Sequence, residues 1–199
     1  IMKNQAIKIG ELLRLYSKEK KSVTEIAKKL HCSAGRINYW LFKYGVPKRT
    51  ISEAIYIKHN PDGDPFRFVS PKNLKDAELF GLGIGLYWRE GTKANKTTVR
   101  LGNSDPALLR KFIEFLITFF NIRKDDLKFH LHTFSDVGVE DAREYWMRQL
   151  GIKKEQFYKP FVSITGKLGN YRNKSKYGVL TLYYANVKLK NILTSLLPL

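Results

Sequence analysis

Apolar residues in the first sixty positions recur every three or four residues, which is the spacing of one face of a helix. The recurrence forms two blocks separated by a short polar step. The apolar positions are Val23, Ile26, Ala27 and Leu30 in the first block, then Ile37, Trp40 and Leu41 in the second. We therefore predict two successive amphipathic helices within an all-α domain that spans residues 1–58.

Residues that favour helix termini mark the ends of these two helices. Ser22, with Glu25 three residues later, has the spacing of a capping box, and Ser33 is placed to cap the second helix. Ala27 is small where the two helices must approach closely. The segment resembles the helix-turn-helix motif of DNA-binding proteins, with His31 in the turn where that motif usually has glycine. Histidine tolerates a left-handed backbone better than most residues.

The resemblance implies that the second helix lies in the major groove of double-stranded DNA. Arginine and asparagine read guanine and adenine edges through paired hydrogen bonds, which favours Arg36 and Asn38 as base-reading residues. A proline-stiffened basic arm, residues 44–50, follows the helix and suits phosphate or minor-groove contact. The residues expected at DNA here are Ser33, Arg36, Asn38, Tyr39, Lys43, Lys48 and Arg49. The alternative is a helical hairpin that packs against the second domain.

The pattern changes after residue 58. Residues 59–73 hold three prolines, one glycine and two aspartates, which predicts a linker. Residues 74–199 mix long helical patterns with alternating strand patterns, which predicts one α+β domain. The predicted order is helix 74–90, strand 97–102, helix 106–121, strand 128–133, helix 140–150, strands 161–165 and 177–184, and helix 187–197. Asp105 and Pro106 are predicted to cap and start the second of these helices.

The first helix of this domain carries Gly81, Gly83 and Gly85 inside a largely apolar run. Each interior glycine costs a helix up to about 1 kcal/mol relative to alanine, so three together indicate a close approach of another backbone. Gly81 and Gly85 share one face at i, i+4 and are expected to meet a second helix. Gly91 is expected to stop the helix as its C′ residue.

Glu90 is the last residue before that stop. A carboxylate in a last helical turn opposes the helix dipole, so a compensating cation is expected: a metal ion, or Arg89 or Lys93. The stretch 85–91 resembles the second half of the LAGLIDADG motif of homing endonucleases, with Glu90 at the acidic, metal-binding position. In that family two such helices pack at glycines or alanines, and the two acids hold divalent metal at the scissile phosphates. One motif per chain implies a homodimer.

The resemblance extends over residues 74–199, where the order of helices and strands is similar to that of the LAGLIDADG domain. It implies an antiparallel sheet that faces DNA, a dimer interface at Gly81 and Gly85, and Mg²⁺ or another divalent cation at Glu90. The residues that it favours at DNA are Arg100, Lys128, His130, His132, Lys167, Arg172, Lys174 and Lys176. Two departures, a single strand after the motif helix and an extra helix at 140–150, predict a shorter DNA-facing saddle.

The charge of the chain agrees with a polyanionic partner. The formal net charge is +18 and the pI is about 9.9. Residues 1–60 hold 13 Lys and Arg against four Asp and Glu. Such an excess suits nucleic acid, where neutralised phosphates release counterions, although a generally solvated basic surface is the alternative.

The cysteine content and the hydropathy of the chain indicate its cellular compartment. The single cysteine, Cys32, excludes a disulfide within the chain and fits a reducing cytoplasm. The N-terminal residues lack the apolar core of a signal peptide, and no apolar run is long enough to span a bilayer. We expect a cytoplasmic, nucleoid-associated protein with no membrane partner.

Two functions remain open from the sequence. The first is a homing-type endonuclease that binds a specific double-stranded site as a homodimer and hydrolyses phosphodiesters with metal. The second is a transcription regulator that keeps the fold and has lost cleavage, as in a sporulation-regulator family that joins the same two modules. The retained acid at Glu90 favours the first. A metal site formed by His130, His132 and Asp136 is a lesser alternative.

Overall fold

A computed structural model describes residues 6–164 and 175–198 of the chain. The chain divides into two compact units, an N-terminal unit of residues 1–65 and a C-terminal unit of residues 66–199. The division falls inside the predicted linker 59–73. The described residues form eight α-helices and one four-stranded sheet, so the fold is mixed α+β. None of the described helices combines the length and the apolarity needed to cross a membrane.

The described part of the N-terminal unit consists of helices and the turns and loops that join them. Its elements are α1 (Ile9–Leu13), which continues into a π-helical turn at Arg14–Lys18, α2 (Val23–Lys29), α3 (Ala34–Lys43) and α4 (Ile51–His59). The core is built from apolar residues of the first three helices and the π-turn; those with no exposed surface are Leu12, Leu15, Ile26, Ile37 and Leu41. Since these residues follow the helical repeat, one face of each helix packs into the core of this unit.

The termini of α2 and α3 confirm the capping predictions. Ser22 and Glu25 form the expected capping box, with the hydroxyl accepting from the Glu25 amide at 3.2 Å. The Ser33 hydroxyl accepts from the Arg36 amide, also at 3.2 Å. His31 has the left-handed backbone expected of the turn, with φ 48°. The α2–turn–α3 arrangement therefore follows from local chemistry.

The C-terminal unit contains the remaining elements. They are α5 (Leu74–Glu90), β1 (Val99–Asn103), α6 (Pro106–Phe120), β2 (Lys128–Phe134), α7 (Val139–Leu150), β3 (Phe161–Ser163), β4 (Val179–Tyr184) and α8 (Val187–Ser195). Asp105 caps α6 through the Ala107 amide and Pro106 is its first residue, as predicted. Helix α5 begins and ends at the residues that the sequence pattern predicts.

The sheet corrects one prediction. Its strand order is β1-β4-β2-β3, with β4 antiparallel to both of its neighbours but β3 parallel to β2. The sheet is therefore mixed, not antiparallel. The reason is that α7 lies between β2 and β3, and a helical crossover returns the chain to the end of the sheet from which β2 started.

Strand alternation divides the sheet into two faces. One face packs on the helices and is buried; its residues are Val99, Leu101, Phe129, Leu131, Leu180, Leu182 and Tyr184. Four phenylalanines of α6, at 112, 115, 119 and 120, fill the layer between this face and the helices. The opposite face, which we call the open sheet face, is only half-buried and carries most of the polar strand residues.

Candidate nucleic-acid interface

Helix α3 presents an exposed stripe opposite its buried side. Ile37 and Leu41 are buried, and the residues with the largest exposure are Gly35, Tyr39, Phe42 and Lys43. Arg36 lies beside this stripe and is half-buried. Asn38 is also half-buried and lies further round the helix, so it is less well placed than Arg36 to reach a base.

Phe42 is a residue that the sequence analysis missed. It is 82% exposed, although it is a large apolar side chain in the last turn of α3. The signal was present in the sequence, because a residue that follows Leu41 directly lies about 100° away from it around the helix. Ile37 and Leu41 together fix the inner side, and Phe42 therefore points outward.

Lys48 and Arg49, both expected at phosphates, differ in their surroundings. Lys48 is exposed. The guanidinium of Arg49 donates to the carbonyls of Lys20 at 2.9 Å, Tyr16 at 2.5 Å and Lys21 at 2.9 Å, and it lies 4.0 Å from the centre of the Tyr16 ring. This geometry gives Arg49 a structural role, in which the side chain ties the arm to the end of the π-helical turn, and its expected contact with phosphates stays a prediction.

The open sheet face brings four of the predicted DNA-contacting residues together. Its members are Arg100 on β1, Lys128, His130 and His132 on β2, and Thr181 and Tyr183 on β4. The strand register aligns Arg100, Tyr183 and Lys128 in one row across the sheet. Arg100 lies 5.0 Å from the centre of the Tyr183 ring, and the Lys128 ammonium donates to the Glu155 carbonyl at 3.1 Å. These three strands carry no acidic residue, so the face is basic and aromatic.

The two histidines of β2 have different neighbours. His132 Nε2 is 2.7 Å from the Ser163 hydroxyl, whereas the His130 ring meets Tyr183 edge-on at 6.4 Å. Across residues 6–164 and 175–198, no three His, Cys, Asp or Glu side chains form a group that could hold a metal ion. The lesser alternative of a site at His130, His132 and Asp136 therefore has no geometric support in that part of the chain.

Four further predicted residues follow β3 in the sequence. Lys167, Arg172 and Lys174 lie outside the described residues. Lys176 is exposed, with its ammonium 5.5 Å from the centre of the Tyr177 ring.

The three glycines of α5 have two different surroundings. Gly83 is buried against α6, and a Cβ there would lie 2.2 Å from two ring carbons of Phe115. A Cβ on Gly81 or Gly85 would meet nothing within 4 Å. The close approach inside the chain thus involves Gly83, and the other two glycines lie on a solvent-exposed side. We call this side the outer face of α5; it comprises Leu74, Glu78, Gly81, Leu82, Gly85, Trp88 and Arg89.

Glu90 is the last residue of α5 and is half-buried. Within the described residues its carboxylate takes part in no ion pair or hydrogen bond. Of the two expected compensating cations, Lys93 donates to the Trp88 carbonyl instead, and Arg89 is exposed.

Gly91 corrects a further expectation. Its φ of −72° is not left-handed, so it does not stop the helix in the way predicted. Glycine is required because a Cβ would lie 2.4 Å from the Tyr87 carbonyl oxygen. The chain leaves α5 at this point and forms a β-bridge from Gly91 to Leu101.

Lys190 is a second candidate residue that the sequence analysis missed. It is 3% exposed, and its ammonium donates to the Tyr87 hydroxyl at 2.6 Å and to the Thr92 carbonyl at 2.8 Å. Burial, and secondly the nearby charge of Lys93, lowers the pKa of Lys190, and burial raises the pKa of Tyr87 to about 12. Lys190 therefore links α8 to Tyr87 and Thr92, which stand on either side of Glu90 in the sequence. Both of its hydrogen-bond partners are neutral oxygen atoms.

Comparisons of the chain with protein-family models, with curated proteins and with solved structures give no match.

Proposed function

We propose that the chain is a sequence-specific double-stranded DNA-binding protein that reads the major groove with α3. The observation that carries the proposal is the exposed outward stripe of α3, in a unit whose caps and left-handed turn are those of a helix-turn-helix. Helix α3 carries no acidic residue, and the unit is strongly basic. The open sheet face of the C-terminal unit supplies a second basic surface suited to phosphates and base edges.

Arg36→Ala is expected to weaken binding to a selected duplex by about 1–3 kcal/mol and to relax specificity at one base position. The measurement is a fluorescence-anisotropy titration against the duplex and its single-base variants. Equal weakening on every sequence would place Arg36 at the phosphates and contradict the base-reading role.

Arg49→Ala is the matched control for that variant, since it removes the same charge from the same unit. It leaves three carbonyls without their donor, so we expect a loss of unfolding free energy of about 1–3 kcal/mol in thermal or urea denaturation. The affinity of the folded fraction for DNA is expected to change less than in Arg36→Ala. A stable Arg49→Ala protein with severely reduced affinity would instead favour the contact with phosphates that the sequence predicts for Arg49.

We further propose that the protein acts as a homodimer through the outer face of α5. That face combines open glycines with the exposed side chains of Leu74, Leu82 and Trp88, and apolar surface of this kind favours burial against a partner. Two such helices could approach closely at Gly81 and Gly85, where no Cβ separates the backbones.

Gly85→Leu is expected to convert the dimer to a monomer of about 23.1 kDa in sedimentation equilibrium, because the added side chain keeps the helix axes apart. Gly85→Ala is the control and is expected to dimerise, since a methyl group still permits close packing. A wild-type protein that stays monomeric at micromolar concentration, both free and on DNA, would overturn the dimer proposal.

The second candidate function is metal-dependent phosphodiester hydrolysis, and the observation that favours it is Glu90. Carboxylate oxygens suit Mg²⁺, but one chain offers one such group, and its described residues form no metal cluster of their own. The residues fit a divalent cation only if the dimer brings two Glu90 carboxylates together. A cation bound there would supply an activated water and neutralise charge at the phosphate. Without cleavage, the same architecture would serve as a DNA-binding regulator.

A further inference from the structure

Two aromatic side chains occupy the outward stripe of α3 and contribute little to the core of the N-terminal unit. Phe42 is 82% exposed and Tyr39 is 56% exposed, one helical turn apart on the same side. The buried positions of α3 are Ile37 and Leu41, and these already fill its inner face. Together the two exposed rings form an apolar patch, and a contiguous exposed apolar patch favours contact with a partner.

Gly35 precedes these residues on the same stripe. A Cβ there would meet only the Ser33 hydroxyl, at 3.8 Å, so packing within the chain does not require glycine. A residue without a side chain in the first turn allows that end of the helix to lie deep in a groove. Over its 10 residues α3 is about 15 Å long, and a helix that lies along the major groove keeps one side against the base edges, so Tyr39 and Phe42, on the same side as Gly35, would also be within reach.

Charge identifies the occupant of this stripe as DNA. The aromatic pair is flanked by Arg36, Lys43 and Lys48, and α3 itself contains no acidic residue. In the same unit the side chain of Glu19 is paired with Arg14, while Glu25 serves in a capping box. An apolar strip between cations is complementary to a groove with an apolar group at its floor and phosphates along its rims.

We infer that Phe42, assisted by Tyr39, is a specificity-determining residue that selects thymine by contact with its C5-methyl group. Thymine is the base that offers an apolar group to the major groove, and apolar side chains are the ones that contact it. The inference rests on the proposed function, since it names the base that α3 selects in the major groove. Burial of one methyl group changes an equilibrium constant about fourfold.

The experiment compares duplexes with and without that methyl group. Wild-type protein is first used to enrich bound duplexes from a random-sequence DNA pool. The enriched pool is then copied in two forms, one with thymidine and one with deoxyuridine, which keeps every hydrogen-bonding group and lacks only the C5-methyl. Affinity for both forms is measured for the wild type, Phe42→Ala, Tyr39→Ala and Ile51→Ala. Ile51 is the matched control because it is an apolar residue of the same unit with the same 82% exposure, but it lies on α4.

Wild type and Ile51→Ala are expected to prefer the thymidine form by about fourfold or more per contacted base. Phe42→Ala is expected to lose most of this preference and Tyr39→Ala a smaller part, both with unchanged thermal stability because the side chains are exposed. Equal binding of the two forms by wild type, or an intact preference in Phe42→Ala, overturns the inference and leaves DNA binding standing. A failure to enrich any duplex overturns the proposed function itself.

Discussion

Gly83→Ala is expected to destabilise the C-terminal unit strongly. The new methyl group would lie 2.2 Å from ring atoms of Phe115, which has no exposed surface and is held by ring contacts with Phe80, Phe112 and Phe119. Phe115 cannot rotate away without disturbing those rings, so α5 and α6 must move apart. Overpacking of this kind costs about 1–3 kcal/mol or more, which we expect to see as a lower urea midpoint for this unit.

Gly81→Ala is the matched control, two residues earlier on the same helix. Within the chain its methyl group meets open space, and alanine is favoured over glycine in a helix interior by about 1 kcal/mol. The two variants are therefore expected to shift stability in opposite directions, with sedimentation used to confirm that each is compared in the same assembly state. Equal effects of the two substitutions would mean that the α5–α6 packing described above is wrong.

Features governed by neighbouring residues could be predicted from the sequence. The capping box at Ser22, the left-handed His31 and the start of α6 at Pro106 each depend on residues within one helical turn. Strand alternation likewise predicts that Arg100, Lys128, His130 and His132 lie away from the core, because side-chain direction along a strand is fixed by parity.

Features governed by distant residues could not be predicted. The pattern of three glycines indicates a close approach, but only the position of Phe115 shows that Gly83 makes it within the chain. In the sequence, Arg49 and Lys190 have the pattern of ordinary surface cations. In the structure, both donate hydrogen bonds to oxygen atoms of residues far away in the sequence, Arg49 to Tyr16 and Lys190 to Tyr87. The parallel pairing of β3 likewise depends on which strand it meets after the α7 crossover.

The role of Glu90 follows from electrostatics if the dimer forms. Two unit charges of the same sign 4 Å apart repel by about 4 kcal/mol in surroundings with an effective dielectric constant of 20. A nearby DNA phosphate adds to that repulsion, and the C-terminal end of α5 is also the negative end of its dipole. Within the described residues no cation pairs with the carboxylate. Glu90 would therefore weaken DNA binding unless divalent cations neutralise it.

Glu90→Gln is accordingly expected to abolish Mg²⁺-dependent cleavage of a selected duplex, while DNA affinity measured in EDTA stays the same or rises because a repulsive charge is gone. Glu144→Gln, at an exposed position on α7, is the control and is expected to change neither property. In wild type, Mg²⁺ should tighten binding, and this effect should disappear in Glu90→Gln. A wild-type protein that binds a defined site tightly, shows no response to Mg²⁺ or Mn²⁺ and never nicks the duplex would instead be a regulator, because Glu90 would then have neither a cation to hold nor a bond to cleave.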